Sequence, residues 1–222
     1  MFSSILYKEW LKIRRYLAIA VFLNLAVFGY FFISLRHLFA IEHAEMIWYQ
    51  AFEIGTLHYT LIKYLSIITG IIIGVAQFIP EMIGHRFRLS LHLPVKPDAL
   101  VLLSVLIGLF AVALISILDA LFLYAVTGIF FPHEAAVSAL LTAIPWLWAG
   151  LTAYLGIALT ALEPQLSRKL VYLLITGGFL CFFYQSNDYE SYNRVIWRLA
   201  ALSLLFIPSV ILPAYRYRNR NS

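Results

Sequence analysis

The sequence predicts an all-α polytopic membrane protein: an N-terminal amphipathic helix lying in the membrane plane, then six transmembrane helices, with both termini cytoplasmic. Three observations lead there. Of the 222 residues, 63% are hydrophobic and 12% charged, with a mean hydropathy of +0.87. A soluble domain carries about 25% charge, so this supply cannot cover a water-facing surface. Six apolar stretches come near or above the roughly 20 residues that one membrane-crossing helix needs. The basic residues, finally, are distributed one-sidedly among the connections.

The elements follow in order. Residues 1–15 place Phe2, Leu6, Trp10 and Ile13 at helical spacing, with Lys8, Lys12, Arg14 and Arg15 mostly on other faces. This is the pattern of an elbow helix lying among lipid headgroups, its aromatic side down; a plain charged flank of the first span is the other reading. The spans cover residues 16–35, 57–79, 99–131, 136–162, 170–184 and 195–214. The third is too long to stand upright in a ~30 Å hydrocarbon core, so it must tilt, kink or project. The fifth is short and contains Gly177-Gly178, which points to a bend or to close backbone contact. Pro145, Pro208 and Pro213 sit inside or near the ends of spans, where membrane helices tolerate proline. The division is therefore 1–15 (elbow helix), 16–214 (six-helix membrane domain with a cytoplasmic loop at 80–98) and 215–222 (basic cytoplasmic tail).

Orientation comes from counting Lys and Arg. With the N-terminus inside, twelve face the cytoplasm, three (Arg36, Arg194 and Arg198) face outward, and Lys63 lies within a span. That asymmetry obeys the positive-inside rule. It also accounts for the formal charge of +5 without invoking nucleic acid. Cys181 is the one cysteine, so neither a disulfide nor a Cys-based metal site can form within one chain. The first apolar run is longer than a secretory h-region and lacks a small-residue cleavage site, against a removed leader.

The loop at 80–98 mixes Met82, Ile83, Phe87 and Leu91 with Glu81, His85, Arg86, Arg88 and His92, and Pro94 and Pro97 close it. Apolar groups on a cytoplasmic connection mark a docking surface, or else a helix resting on the membrane. With the basic prelude Tyr7-Lys8-Glu9-Trp10-Leu11-Lys12-Ile13-Arg14-Arg15, two spans, the Glu81 loop running into Leu91-His92-Leu93-Pro94-Val95-Lys96, and a long third span, the chain resembles the permease subunits of the type-2 ABC exporter family. The resemblance implies that the prelude is an elbow helix and the loop a coupling helix seated in a separate ATPase subunit. Glu81, Met82, His85, Arg86, Phe87 and Arg88 would then make that contact, Glu81 as a polar anchor and Phe87 as an apolar one. It also implies two ATPase copies, a second permease chain (the same or similar), and ATP and Mg held by the ATPase rather than here. The short outer loops depart from relatives with large extracellular domains.

Other chemistry is thin. The chain has no G-x-x-x-x-G-K-[ST] phosphate loop, no G-x-S-x-G elbow, and so no expected enzymatic activity or cofactor of its own. His133-Glu134 opens like H-E-x-x-H, but Val137 replaces the second ligand. Glu81, His85 and His92 lack a further strong ligand at helical spacing, so no metal site is expected. Lys63 and Asp119 are charges within spans, where an unpaired charge costs roughly 2.5–3.5 kcal/mol. At 1.5 Å per residue they lie roughly 25 and 31 Å from the cytoplasmic ends of their spans, which predicts an ion pair across adjacent helices; separate snorkelling outward is the alternative. Trp48 and Tyr49 in the first outer loop read as interfacial anchors. Phe22, Phe28, Tyr30, Phe31 and Phe32 on the first span would suit a hydrophobic or amphipathic cargo. The expected location is a bacterial inner membrane and the expected function an exporter permease. A non-transporting scaffold or assembly factor of a membrane complex is the competing reading.

Overall fold

The structure, a computed structural model, describes residues 2–83, 97–186 and 188–219. These residues are helical with no strand among them. In chain order the helices are α1 (Phe2–Ile41), α2 (Ala44–Phe52), α3 (Leu65–Met82), α4 (Pro97–Phe130), α5 (His133–Leu162), α6 (Leu166–Phe182), α7 (Ile196–Leu204), α8 (Phe206–Ser209) and α9 (Ile211–Asn219), with a 3-10 turn at Thr60–Tyr64 leading into α3. Five segments are long and apolar enough to cross a membrane: Ile5–Ile41, Thr60–Met82, Asp98–Phe130, His133–Leu162 and Ile196–Pro213. Large apolar side chains such as Phe22, Phe110, Leu174 and Trp197 stand exposed on the outer faces, as lipid-facing helices require. The protein is an all-helical membrane protein.

One expectation about the N-terminal half needs correction. In place of a separate elbow over residues 1–15, α1 runs unbroken for 40 residues, about 60 Å at 1.5 Å per residue. No proline occurs in it, and Ile13 and Ala20, on either side of the expected break, pack into one core cluster. Ile5, Glu9 and Ile13 are buried, while Leu6 and Trp10 are exposed, Trp10 by 52%.

Helix α5 is the axis around which α3, α4 and α6 pack. In lipid the hydrophobic effect does little to bring helices together, so association depends on close packing and interhelical hydrogen bonds. Many buried positions of α5 are accordingly small (Ala136, Ala139, Ala143, Ala149, Gly150, Ala153 and Ala158), with Trp146 and Tyr154 as large buried side chains among them. At the tightest point, a methyl group on Gly70 of α3 would run into the Gly150 carbonyl, and one on Gly150 would run into Ser66. Ser66 uses this approach to donate to the Leu147 carbonyl at 2.9 Å. Gly177 and Gly178 do not behave in this way. Nothing lies within 4 Å of a methyl built on either, and α6 passes through them unbroken.

The final span is interrupted where proline chemistry demands. Each proline lacks an N–H and crowds the carbonyl four residues back, and the breaks at Leu205 and Val210 lie three residues before Pro208 and Pro213.

The bundle has two poles. At one, Lys12 meets Glu81, Tyr215 meets Asp98 and Arg216 meets Glu163; this is the charge-rich pole. At the other, Tyr189 meets the Thr56 carbonyl, His58 stacks on Phe131, and Tyr64 stacks on Tyr184; this is the aromatic pole. A core cluster lies behind each, around Ile73, Tyr154 and Leu155 for the first, and around Phe31, Ile62 and Trp146 for the second.

Candidate functional site

The densest polar chemistry lies at the charge-rich pole, where α1, α3, α4 and α5 converge. Glu81, in the last turn of α3, is 6% exposed. Its Oε1 accepts from Lys12 Nζ at 2.7 Å and lies 2.9 Å from Lys8 Nζ. Lys12 also reaches Glu9 Oε1 at 2.6 Å, one helical turn away. Glu9 is 1% exposed, and its second oxygen accepts from Gln77 Nε2 at 2.9 Å. Gln77 donates as well to the Ser104 carbonyl on α4 at 2.7 Å. Its Oε1 accepts from the Tyr154 hydroxyl of α5 at 2.8 Å, and that hydroxyl shares its single proton with the Val105 carbonyl at 3.0 Å.

This makes one continuous chain of polar contacts, Lys8–Glu81–Lys12–Glu9–Gln77–Tyr154, through α1, α3 and α5, with the Ser104 and Val105 carbonyls joining α4 to it. Two lysines and two glutamates balance, so the cluster carries no net charge. Burial of an ionised group is tolerable only with partners of this quality, and both carboxylates and the amide of Gln77 have them. Gly108 of α4 provides the space, since a methyl group there would overlap Gln77 Oε1 and the Tyr154 hydroxyl.

The sequence-derived site residues fall differently from expectation. Glu81, expected as a docking anchor for a partner, is instead held inside the molecule by Lys8 and Lys12. Met82 is half-buried and packs on the core cluster behind the pole. His85, Arg86, Phe87 and Arg88 lie outside the described residues. Glu9, Gln77 and Tyr154 were not singled out from the sequence. A Glu one turn before Lys12 in a basic helix, and a Gln near the end of an apolar span, were the available signals.

Lys63 and Asp119 do not form an ion pair, which corrects the expectation. Lys63 lies in the 3-10 turn before α3, at the aromatic pole, with its ammonium 5.5–5.8 Å from the ring centres of Tyr184, Tyr64 and Trp146. Cation–π attraction to such rings is worth about 0.5–2 kcal/mol. Asp119 is buried on α4, and its Oδ2 has no hydrogen-bond partner.

Compared with protein-family models, with curated proteins and with solved structures, the chain matches none.

A second ion pair at the same pole joins the ends of two further helices. Glu163, fully buried just after α5, accepts from Arg216 of α9 at 3.1 Å, and Arg216 also donates to the Tyr172 hydroxyl of α6 at 3.2 Å. The two clusters therefore tie α1, α3, α4, α5, α6 and α9 together at one end. Among the described residues, no three of His, Cys, Asp and Glu converge as metal ligands would. The arrangement can transmit a displacement, and it can fix helix register; it offers no nucleophile with an adjacent base.

Proposed function

We propose that the chain is the transmembrane permease subunit of an ATP-driven exporter in a bacterial inner membrane, paired with a second permease chain and driven by two copies of a separate ABC ATPase. The observation that carries this reading is the position of Glu81. It lies three residues before the connection 84–96, where the family resemblance puts the ATPase contact. It also joins, through Lys8 and Lys12, the polar chain that links α3 to α1, α4 and α5. A push on that connection would be felt by α3 and passed through Lys8, Lys12, Glu9, Gln77 and Tyr154 to the other helices. The pole would then move as a unit while the aromatic pole changes its opening.

In this mechanism Glu81 relays and the residues after it dock. His85, Arg86, Phe87 and Arg88 keep their assigned role as the ATPase-facing surface, with Phe87 as the apolar anchor. The cargo is a hydrophobic or amphipathic molecule, in keeping with the aromatic residues along α1.

The test is purification of the tagged chain in mild detergent, with identification of co-purifying proteins and assay of ATP hydrolysis. An ABC ATPase should accompany the wild type and be lost with Phe87→Ala. Glu81→Gln should retain the ATPase but change its hydrolysis rate several-fold, because the lysines lose their anionic partner. A monodisperse sample that never carries an ATPase removes the exporter reading and brings the scaffold forward.

A further inference from the structure

At the aromatic pole a cavity of about 210 Å³ opens between α1, α4, α5 and the segments on either side of them. Its wall includes Phe31, His58, Tyr59, Thr127, Phe131 and Tyr189. The surface is mainly apolar and aromatic, and no acidic, lysine or arginine side chain lines it. Yet three of the wall residues carry buried polar atoms without a hydrogen-bond partner: His58 Nε2, the Tyr59 hydroxyl and Thr127 Oγ1. Tyr59 is 4% exposed and Thr127 5%. The Tyr59 hydroxyl faces Tyr189 and Thr142 but makes a well-formed hydrogen bond to neither. Buried polar groups are nearly always paired, so three on one wall call for a reason.

The volume narrows what fits. A cavity of about 150 Å³ lined by apolar residues takes benzene, so this one admits a single ring with one or two small substituents. The walls suit an aromatic ring, which Phe31, Phe131 and Tyr189 can contact by edge or face. The unpaired groups suit an oxygen on that ring, since hydroxyls and a neutral imidazole can each donate or accept. Burial holds the His58 imidazole below its usual pKa, against the opposing pull of Glu42, so it remains uncharged at neutral pH. An anion finds no cationic side chain in the lining, and a cation finds no carboxylate.

We infer that this cavity is a binding site for a neutral single-ring phenol, held by aromatic contact and by hydrogen bonds from Tyr59, Thr127 and His58. The inference is independent of the exporter reading and needs no ATPase.

The test uses 4-methylphenol, with p-xylene as the probe of equal shape that lacks the hydroxyl. Binding is measured by calorimetric titration of the full chain in lipid nanodiscs, against empty nanodiscs as baseline. The expected result is saturable binding of one 4-methylphenol per chain, with p-xylene weaker by about tenfold. Thr127→Val preserves shape and removes one unpaired hydroxyl. It should weaken 4-methylphenol by about fivefold without lowering the melting temperature, because no existing hydrogen bond is lost. Ala139→Leu, which fills the cavity from α5, should abolish saturable binding; if that variant fails to fold, Thr127→Val decides alone. Equal binding of the two probes, mere partitioning into lipid, or an affinity that Thr127→Val leaves unchanged overturns the inference.

Discussion

Glu9 is the residue on which the charge-rich pole turns, because it faces both halves of the polar chain. One oxygen holds Lys12 and the other holds Gln77. Removing one partner of a buried ion pair costs about 3–5 kcal/mol, most of it from the charge left behind. Here Lys12 retains Glu81, so the loss falls on Gln77 and on the helix contact. Glu9→Ala should therefore lower stability by about 2–3 kcal/mol, read as a fall of several degrees in melting temperature in detergent. A double-mutant cycle with Gln77→Leu should show coupling between the two sites, since they share a bond. Strict additivity would mean that the chain of contacts does not act as one unit. Little of this was legible in the sequence beyond a Glu one turn before Lys12 and a Gln near the end of an apolar span. The apolar pattern of residues 2–13 picks Leu6 and Trp10 as the lipid-facing side and says nothing of what the opposite side meets. In lipid those residues are content outside, and the inward position goes to the polar group that has partners there.

At the scale of elements, the positions of the apolar helices were readable, because a bilayer demands a fixed length of apolar helix and the chain must supply it. Boundaries and breaks were readable only where the chemistry is local. Pro208 and Pro213 interrupt the last span through their own backbones. Gly177 and Gly178 looked equally suggestive, but a glycine marks close contact only if another helix is present to make it, and none approaches there. The contact falls at Gly70 and Gly150 instead. Gly150→Ala should push α3 from α5, because the new methyl group meets Ser66 backbone as well as its hydroxyl. A cost of about 1–3 kcal/mol is expected. Gly178→Ala, by contrast, should leave the melting temperature unchanged or raise it slightly, as alanine favours helix. Equal effects of the two substitutions would remove the distinction between them.

For the whole molecule, the number of crossings is the decisive quantity. Helix α6 has 17 residues, about 25 Å of helix, short of the ~30 Å core but near it. It is not among the five segments long and apolar enough to cross by that measure, whereas the expected one-sided distribution of Lys and Arg calls for a crossing there. Single cysteines at Gln165 and Asp188, in a background of Cys181→Ser, should react with an impermeant maleimide from opposite sides of the membrane. Labelling of both from one side would show that α6 does not cross, and would separate the side of the final span's start from that of the outer loops. One further consequence follows from α1. A rod of about 60 Å in a layer about half as thick is held at both poles, by Glu9 and Lys12 near its start and by Phe31, Leu35 and Phe39 near its end. Thinning or thickening of the surrounding lipid therefore meets a strut fixed at two points, and α1 can change its tilt only by carrying both poles with it.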